Sequence, residues 1–452
     1  MIRHALYTII KQQAAKGDAV TVKNIGKLMH HHFTDLGIDF LVRQDREDTV
    51  PTSEINELYQ NYCTFLALTD NLLGTYRLNP NLERLGLIKV DYVDFENFVN
   101  DPIWKTPSAF FADYANQPDA NFFTKALKGD EDAEQTEVAI GQAAEVIIQK
   151  FDAGLIHDLG MTLLNFMRSR GAVNHDLLND TKSHWNEWVR KLNQKAIFDN
   201  PYFRFKDRNH YFTDNLDFDA DKLLLDVKVD VLQIFSNTSS IYRTTRKFVS
   251  DSPLLKDDRT AYSKEDWAKI CLLIHRFFMN MLFYMEYITT ENLHGKQNVS
   301  YAVFQLNPSR WNYILAEKSD ECPKCKRLYQ FVQHKKCVQV RCLSDLRPLE
   351  NELNFFKQLY VQPHILTHPL VSAEHTAQID LKERGDIEDY FEEHEPGKVN
   401  VIVCTPTMEL GVDIGNLPLV FLRNVPPTSS SYAQRAGRAG RDQNNSMVLT
   451  FC

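Results

Sequence analysis

The sequence predicts a multidomain chain: a mostly α-helical body with winged-helix-like units, a small cysteine finger, and an α/β segment built on a parallel sheet. Three observations carry this. Apolar residues recur at helical spacing over much of the chain before residue 317. Four of the eight cysteines fall close together, at 322, 325, 337 and 342. From 343 onward short apolar runs alternate with helical stretches, the pattern of parallel strands with covered faces.

Bulk properties set the frame. A chain of 452 residues suggests roughly two to four domains. With 43% apolar and 25% charged residues it reads as globular. The balance of 51 basic and 60 acidic residues gives a net charge of −9, so a whole-protein positive field is absent and any nucleic-acid site must be local. No apolar run is long enough to span a bilayer, so no membrane partner is expected. The amphipathic start, Met1 to Gln13, lacks a small-residue cleavage site and does not read as a signal peptide. One cysteine cluster among scattered thiols predicts a reducing, cytoplasmic location rather than a secreted disulfide framework.

Residues 1–235 read as the helical body with a winged-helix-like start. Ile2, Leu6, Ile9 and Ile10 share one helical face, and Val22, Ile25, Leu28 and Met29 another. His30, His31 and His32 lie within that second pattern and read as a solvated helix face rather than a metal site. A helix is expected from Ile55 to Leu73; the stretch from Leu82 to Tyr92 should end a helix at Gly86 and begin a strand. The acidic stretch 128–137 reads as a solvated loop leading into one long helix over 138–171. Helices continue over 176–235, with Trp185, Trp188, Phe198, Tyr202 and Phe203 as core anchors. Residues 236–316 read as a second winged-helix-like unit. Ser240 opens one helix; Ser263, with Asp266 three positions on, caps the next; the alternating run from Val299 to Leu306 resembles a wing strand after a turn at Gly295.

Residues 317–348 form the finger. Cys322-Pro-Lys-Cys325 puts two thiols on one tight turn, and Cys337 and Cys342 supply a second pair. Four thiolates suit tetrahedral Zn2+ in a closed, structural site, and a segment this polar needs metal to supply its folding energy. The second pair is more widely spaced than usual, which leaves His334 as an alternative ligand. Lys324, Lys326, Arg327, Lys335, Lys336 and Arg341 decorate the finger, either as solvated surface or as a phosphate-contacting knob. On the second reading Lys324, Arg327 and Lys336 are the candidate nucleic-acid contacts.

Residues 349–452 carry the α/β segment. Strands are expected at Asn400 to Cys404, Leu419 to Leu422 and Met447 to Phe451, with helices near Leu349 to Tyr360 and Glu374 to Glu393. Two strings stand out: Thr405 to Gly415, reading TPTMELGVDIG, and Pro426 to Arg441, which ends in QRAGRAGR. Arg435, Arg438 and Arg441 are interleaved with Ala436, Gly437, Ala439 and Gly440. Spaced by three on one helical turn, they would project to one side, and small neighbours let a ligand approach the backbone. Guanidinium groups bind phosphate oxygens bidentately, so the arrangement reads as a fork for a polyphosphate.

The QRAGRAGR string is similar to motif VI of superfamily-2 helicases of the DEAD/DEAH type, and the TPTMELGVDIG string to their motif V. Ala373 to Gln378, Arg384, Ile387, Glu388, Phe391 and Asn424 to Pro427 further resemble a bacterial and archaeal group with a zinc ribbon before the second lobe. That group includes the Lhr/Mrf-like repair helicases and the large helicase of DISARM-type phage defence. The resemblance implies that 349–452 is an incomplete second RecA-like lobe and that the helical body is an insertion between lobes. It implies that Arg438 and Arg441 reach the γ-phosphate of ATP, a role typically worth about 10³–10⁵ in rate. Gln434 would sense nucleotide, Arg435 would support the loop, and Asp413 would lie near the ribose. Thr405 and Gly411 would touch the nucleic-acid backbone and couple it to ATP, which puts Gly411 on the ATP-binding side with Asp413. Backbone contacts imply sequence-independent tracking. Glu374, His375 and Gln378 match without a role.

No G-x-x-x-x-G-K-[ST] loop and no acidic box after an apolar strand occur in these 452 residues. The expectation is therefore the C-terminal part of an ATP-dependent helicase or translocase whose Mg2+-ATP site is shared with a missing first lobe. This chain alone should not hydrolyse ATP. The expected partners are DNA, with RNA as the alternative, a first RecA-like lobe, and defence or repair proteins. A non-catalytic nucleic-acid-binding or scaffold protein derived from a helicase is the competing reading.

Overall fold

The computed structural model describes residues 2–36, 52–72, 81–108, 135–179, 208–213, 228–234, 236, 239–294, 300–316, 318–338, 342, 344–349, 355–361, 371–376, 379–392, 399–405, 417–440 and 446–451. They group into two compact units, one of Ile2–His32 with Phe40–Val361 and one of Phe33–Asp39 with Gln362–Cys452. Among the described residues no helix is long and apolar enough to cross a membrane.

The larger unit begins as predicted. Helix α1 (Ile2–Lys16) buries Ala5, Leu6, Ile9 and Ile10 and stops at Gly17, whose φ of 79° only glycine adopts freely. Strand β1 (Val20–Thr21) leads into α2 (Val22–Asp35), with Ile25, Met29 and Phe33 fully buried. Gly26 lets α2 approach α3 (Thr52–Leu72) closely, since a Cβ there would stand 2.3 Å from the Gln60 carbonyl oxygen. One helical turn after Asn81 closes at Gly86 (φ 68°), and β2 (Ile88–Tyr92) follows. A short α4 (Phe95–Val99) carries Phe98 beneath Trp104, whose indole N–H donates to the Phe98 carbonyl at 2.6 Å.

Two sequence expectations change here. The single helix over 138–171 is two, α5 (Gln135–Gln149) and α6 (Ala153–Ser169). Asp152 breaks the run: its carboxylate accepts the Leu155 N–H at 2.7 Å as an N-cap, beside the buried Phe151. After the short α7 (Asp176–Asn179) the expected all-helical stretch instead contains β3 (Arg208–Thr213) and β4 (Lys228–Gln233), paired in parallel. In β4 Val229 and Val231 alternate with polar residues, the period of a strand, whereas β3 shows no such alternation and buries the adjacent Tyr211 and Phe212. The aromatic anchors Trp185 to Phe203 lie outside the described residues.

Helices α8 (Ser240–Asp251), α9 (Lys256–Ala261) and α10 (Lys264–Tyr284) precede a β-pair, β5 (Ile288–His294) with β6 (Ser300–Leu306). Ser263 caps α10 as expected, accepting the Asp266 N–H at 3.1 Å and donating to its carboxylate at 2.7 Å. The pair is not a free wing: β6 also pairs with β3, giving one sheet in the order β4-β3-β6-β5. Strand β7 (Trp311–Leu315) joins β1 and β2. The finger follows as β8 (Asp320–Glu321), β9 (Leu328–Tyr329) and β10 (Arg347–Pro348), antiparallel in the order β10-β8-β9. Helix α11 (Phe355–Val361) returns to α1, where the His4 Nδ1–H donates to the Tyr360 carbonyl at 2.9 Å.

The smaller unit holds β11 (Ser372–His375), α12 (Leu381–Glu392), β12 (Val401–Cys404), β13 (Leu419–Leu422), α13 (Ser429–Ala436) and β14 (Met447–Thr450). β11 pairs in parallel with β12, and β13 with β14. Parallel pairing agrees with the sequence, but covered faces do not. Register partners Leu419 and Met447, and Phe421 and Leu449, all lie exposed on one face, Phe421 at 61%. Only Leu422 of β13 and His375 of β11 are buried in these four strands. Among the described residues α12 buries no side chain of its own, so it supplies little of the cover that the apolar runs lead one to expect.

Candidate functional site

Two sites emerge, one in each unit. The first is the finger. Cys322 Sγ lies 3.5 Å from Cys342 Sγ and Cys325 Sγ 3.6 Å from Cys337 Sγ, and all four sulfurs fall within 4.8 Å of one another. A Zn–S bond of about 2.3 Å puts tetrahedral thiolates about 3.8 Å apart, so the set matches one metal held by four sulfurs. Local backbone explains the fit. Lys326 (φ 59°) and Lys335 (φ 53°) take left-handed turns beside the two pairs, and the Cys325 N–H points at Cys322 Sγ at 3.4 Å. Burial raises the Cys322 thiol, but the backbone N–H groups of Cys325 and Lys324 and the neighbouring thiols outweigh it, bringing it down to about 6. Burial pushes the Cys325 thiol up. The Tyr329 hydroxyl stands 3.3 Å from Cys337 Sγ, and the Lys247 ammonium donates to the Cys337 carbonyl at 2.9 Å. His334, the alternative ligand, points elsewhere: its Nε2 is 3.3 Å from Asp152 Oδ1.

The finger's cations divide into two kinds. Lys326 pairs with Glu321 at 3.6 Å, Lys335 with Asp320, and Lys336 with Asp345 at 2.9 Å. Lys324 and Arg327 are exposed, and no carboxylate pairs with their side chains among the described residues. Of the three predicted nucleic-acid contacts, Lys336 is thus neutralised locally while Lys324 and Arg327 keep their charge available. Arg84, on the turn before β2, lies close enough to Arg327 for like-charge repulsion, which adds to partial burial in lowering its guanidinium.

The second site is the C-terminal edge of the parallel strands, where α/β sheets bind ligands. Thr405 directly follows β12. The Thr428 hydroxyl caps α13 by accepting the Ser431 N–H at 3.1 Å. That helix carries exposed Gln434 and half-buried Arg435, and it ends at Ala436. Arg438 therefore lies beyond the helix, in a turn closed by the Arg438 N–H to the Arg435 carbonyl at 3.3 Å. The expected single helical turn of arginines is corrected here: Gly437 and Gly440 (φ 73°) let the chain leave the helix and bridge Ala439 to Leu417. Partial desolvation raises the Cys404 thiol at the end of β12, and Arg438 and then Arg435 act against it. Both guanidinium groups are thus within electrostatic reach of the Cys404 thiol, at the strand end that leads into Thr405. Gly411, Asp413 and Arg441 lie outside the described residues.

Two arrangements escaped the sequence reading. His375, in register with Cys404, is buried, and its Nε2–H donates to Glu388 on α12 at 2.6 Å. A His closing a short strand with Glu thirteen residues later was the available signal. Asp158, in the middle of the apolar α6, is fully buried against the finger. A carboxylate on a helix's buried face was its signal.

Comparison with known proteins adds a family. Residues 324–443 match the helicase conserved C-terminal domain. The chain is 34% identical over 156 residues to the Druantia protein DruE of Escherichia coli, covering 29% of this chain and 8% of that one. It is 27% identical over 135 residues to the ATP-dependent helicase Lhr-Core of Methanocaldococcus jannaschii, 28% of this chain and 14% of that one. It is 40% identical over 68 residues to the uncharacterized ATP-dependent helicase YprA of Bacillus subtilis, 15% and 9% respectively. The chain thus spans only a small part of the length of these relatives. No solved structure matches it. Motifs, domain match and relatives together support a superfamily-2 helicase C-terminal portion within this chain, similar to that of the Lhr-like group.

Proposed function

We propose that this chain supplies the motif V and motif VI side of the ATP site in a DNA helicase or translocase. The nucleotide and Mg2+ would be cradled by a first RecA-like lobe lying outside these 452 residues. The observation that carries this reading is the approach of Arg435 and Arg438 to the end of β12. Segments thirty residues apart in sequence come within electrostatic reach of one another at this strand end, as expected of a motor that joins its nucleotide contact to its strand contact. In this reading Arg438, with Arg441, offsets charge developing on the transferred phosphoryl group, and Gln434 reads nucleotide occupancy. Asp413 and Gly411 contribute to the ATP side, and Thr405 holds the nucleic-acid backbone.

Cys322, Cys325, Cys337 and Cys342 would hold one structural Zn2+, which closes the finger and leaves no open coordination position for catalysis. Lys324 and Arg327 would contact phosphates on the nucleic acid, without reading bases. Lys336, tied to Asp345, contributes less.

Hydrolysis by the purified chain tests the assignment. The chain alone should turn over no ATP above background with or without single-stranded DNA, and adding a P-loop-bearing first lobe should restore DNA-stimulated hydrolysis. Steady turnover by the chain alone contradicts the proposal. So does DNA binding that stays indifferent to nucleotide after such a lobe is supplied, which is the behaviour of a non-catalytic binding protein.

A further inference from the structure

The two cysteine pairs of the finger are joined by residues 326–336, and this bridge is gripped from outside. Asp158 projects from the middle of α6 and is fully buried. Its Oδ1 accepts the Gln333 N–H at 2.8 Å, and its Oδ2 accepts the His334 N–H at 2.9 Å. His157 Nδ1 lies 3.1 Å from the same Oδ1. A buried carboxylate is costly unless its oxygens are hydrogen-bonded, and here the partners are main-chain N–H groups of a different module. The grip is on the path of the bridge, whatever side chains it carries.

Further contacts seat the finger on the same body. The Lys247 ammonium, from α8, holds the Cys337 carbonyl at 2.9 Å, next to a ligand sulfur. Gln330 Nε2 donates to the Glu83 carbonyl at 2.8 Å, while Glu83 is itself held by Arg168 of α6 at 2.6 Å. Glycines make room at the contact. A Cβ on Gly154 would stand 2.7 Å from His334 Nε2, and one on Gly86 2.8 Å from Ser319 Oγ. The finger is thus docked along α6, α8 and the turn before β2.

We propose that Asp158 is a latch: it fixes the bridge between the two cysteine pairs, so metal binding in the finger and docking of the finger on the helical body are one coupled equilibrium. This rests on the reading of the four cysteines as a zinc site. The coupling is reciprocal: a change that weakens docking by some factor weakens metal binding by the same factor. Residues that orient metal ligands from outside typically contribute 10–100-fold to metal affinity. Asp158 is a positioning residue in this scheme, since it touches no sulfur.

The test uses the full chain loaded with Zn2+, or with Co2+ as a spectroscopic probe, against a competing chelator. Asp158→Asn keeps the size but turns one acceptor into a donor facing a main-chain N–H. It should weaken metal binding about 10–100-fold while the bound Co2+ spectrum stays that of tetrahedral thiolate. Gln333→Ala should match the unmodified chain, because Asp158 holds main chain there. Equal metal affinity in Asp158→Asn and the unmodified chain overturns the latch while leaving the zinc site standing. An unmodified chain that binds no metal overturns the zinc reading and the latch with it. Should Asp158→Asn fail to fold, amide exchange on the unmodified chain decides. Stripping the metal should lift protection across α6 and the turn at residues 81–86, and unchanged protection there overturns the latch.

Discussion

The cysteine finger and the arginine edge are both read from short motifs, but they are built in opposite ways. The finger turns its chemistry inward. Cys322, Cys337 and Cys342 are buried, their sulfurs face one another, and the surrounding groups come from the same compact unit. The arginine edge turns its chemistry outward. Gln434 is exposed, Arg438 lies in a turn past its helix, and the strands behind it leave Phe421, Leu449 and Phe451 in the open. A structural site draws its ligands, and the groups that position them, from one folded unit. A site for a phosphoryl group shared between two lobes needs an accessible edge. The difference teaches that a strong motif and a self-sufficient site are separate properties.

The largest effect should come from opening the inward site. Cys322→Ser combined with Cys325→Ser removes half of the thiolates, and structural zinc in such fingers is worth about 10–16 kcal/mol. Metal analysis should fall from about one zinc per chain to none, with loss of ordered structure over 318–349. Full metal content in the double variant would break the comparison at its inward end.

A smaller effect should follow from loosening the outward site from within. His375→Ala leaves Glu388 without its buried partner, and breaking a buried hydrogen bond to a charged group costs about 1–3 kcal/mol. Thermal unfolding of the smaller unit should drop, while the zinc content stays unchanged. A fall in zinc content would show that the two regions are not independent.

The helical body supplies a pH test with a defined sign. His275 is fully buried between the Thr245 hydroxyl at 2.7 Å and the Ile234 carbonyl at 3.3 Å, and burial pulls it down from 6.5 to about 3. The unfolded chain therefore binds a proton that the folded chain refuses. This group's contribution is fully present above pH 6.5 and is lost as pH falls toward 3, at up to ~1.4 kcal/mol per pH unit. The stability profile should flatten in His275→Gln. An unchanged acid slope would contradict the assignment of that slope to His275.

The smallest effect belongs to the finger's surface. Lys324→Ala with Arg327→Ala should weaken DNA binding evenly across sequences and reduce the salt slope by about one for each phosphate left without its cation. Lys336→Ala should do less, because Asp345 already neutralises it. Equal losses from all three would erase that distinction.

How much was legible in sequence follows the same division. The cysteine spacing, the Ser263 cap and the strands β12, β13 and β14 were readable from local pattern, whereas β11 was not: Glu374 and His375, expected to open a helix, lie in that strand, and the helix begins at Leu381. The break at Asp152 is also a local signal, a capping residue inside an apolar run, but the longer apolar period masks it. The pairing of β6 with β3 was not readable, since Phe212 and its register partner Phe304 lie 92 residues apart. Asp158 and His375 were visible as polar residues in apolar settings, but their partners lie on other elements, and only packing names them. The arginine spacing was clear. That the helix ends at Ala436, leaving Arg438 in a turn, required the φ of Gly440 and the bridge to Leu417.

The most direct test of the central claim is the rate of DNA-stimulated ATP hydrolysis with the first lobe supplied, measured for the unmodified chain and for Arg438→Ala. The rate should be lower by about 10³–10⁵ in the variant, with zinc content and nucleic-acid affinity preserved. A variant that hydrolyses ATP within a few-fold of the unmodified chain would contradict that claim.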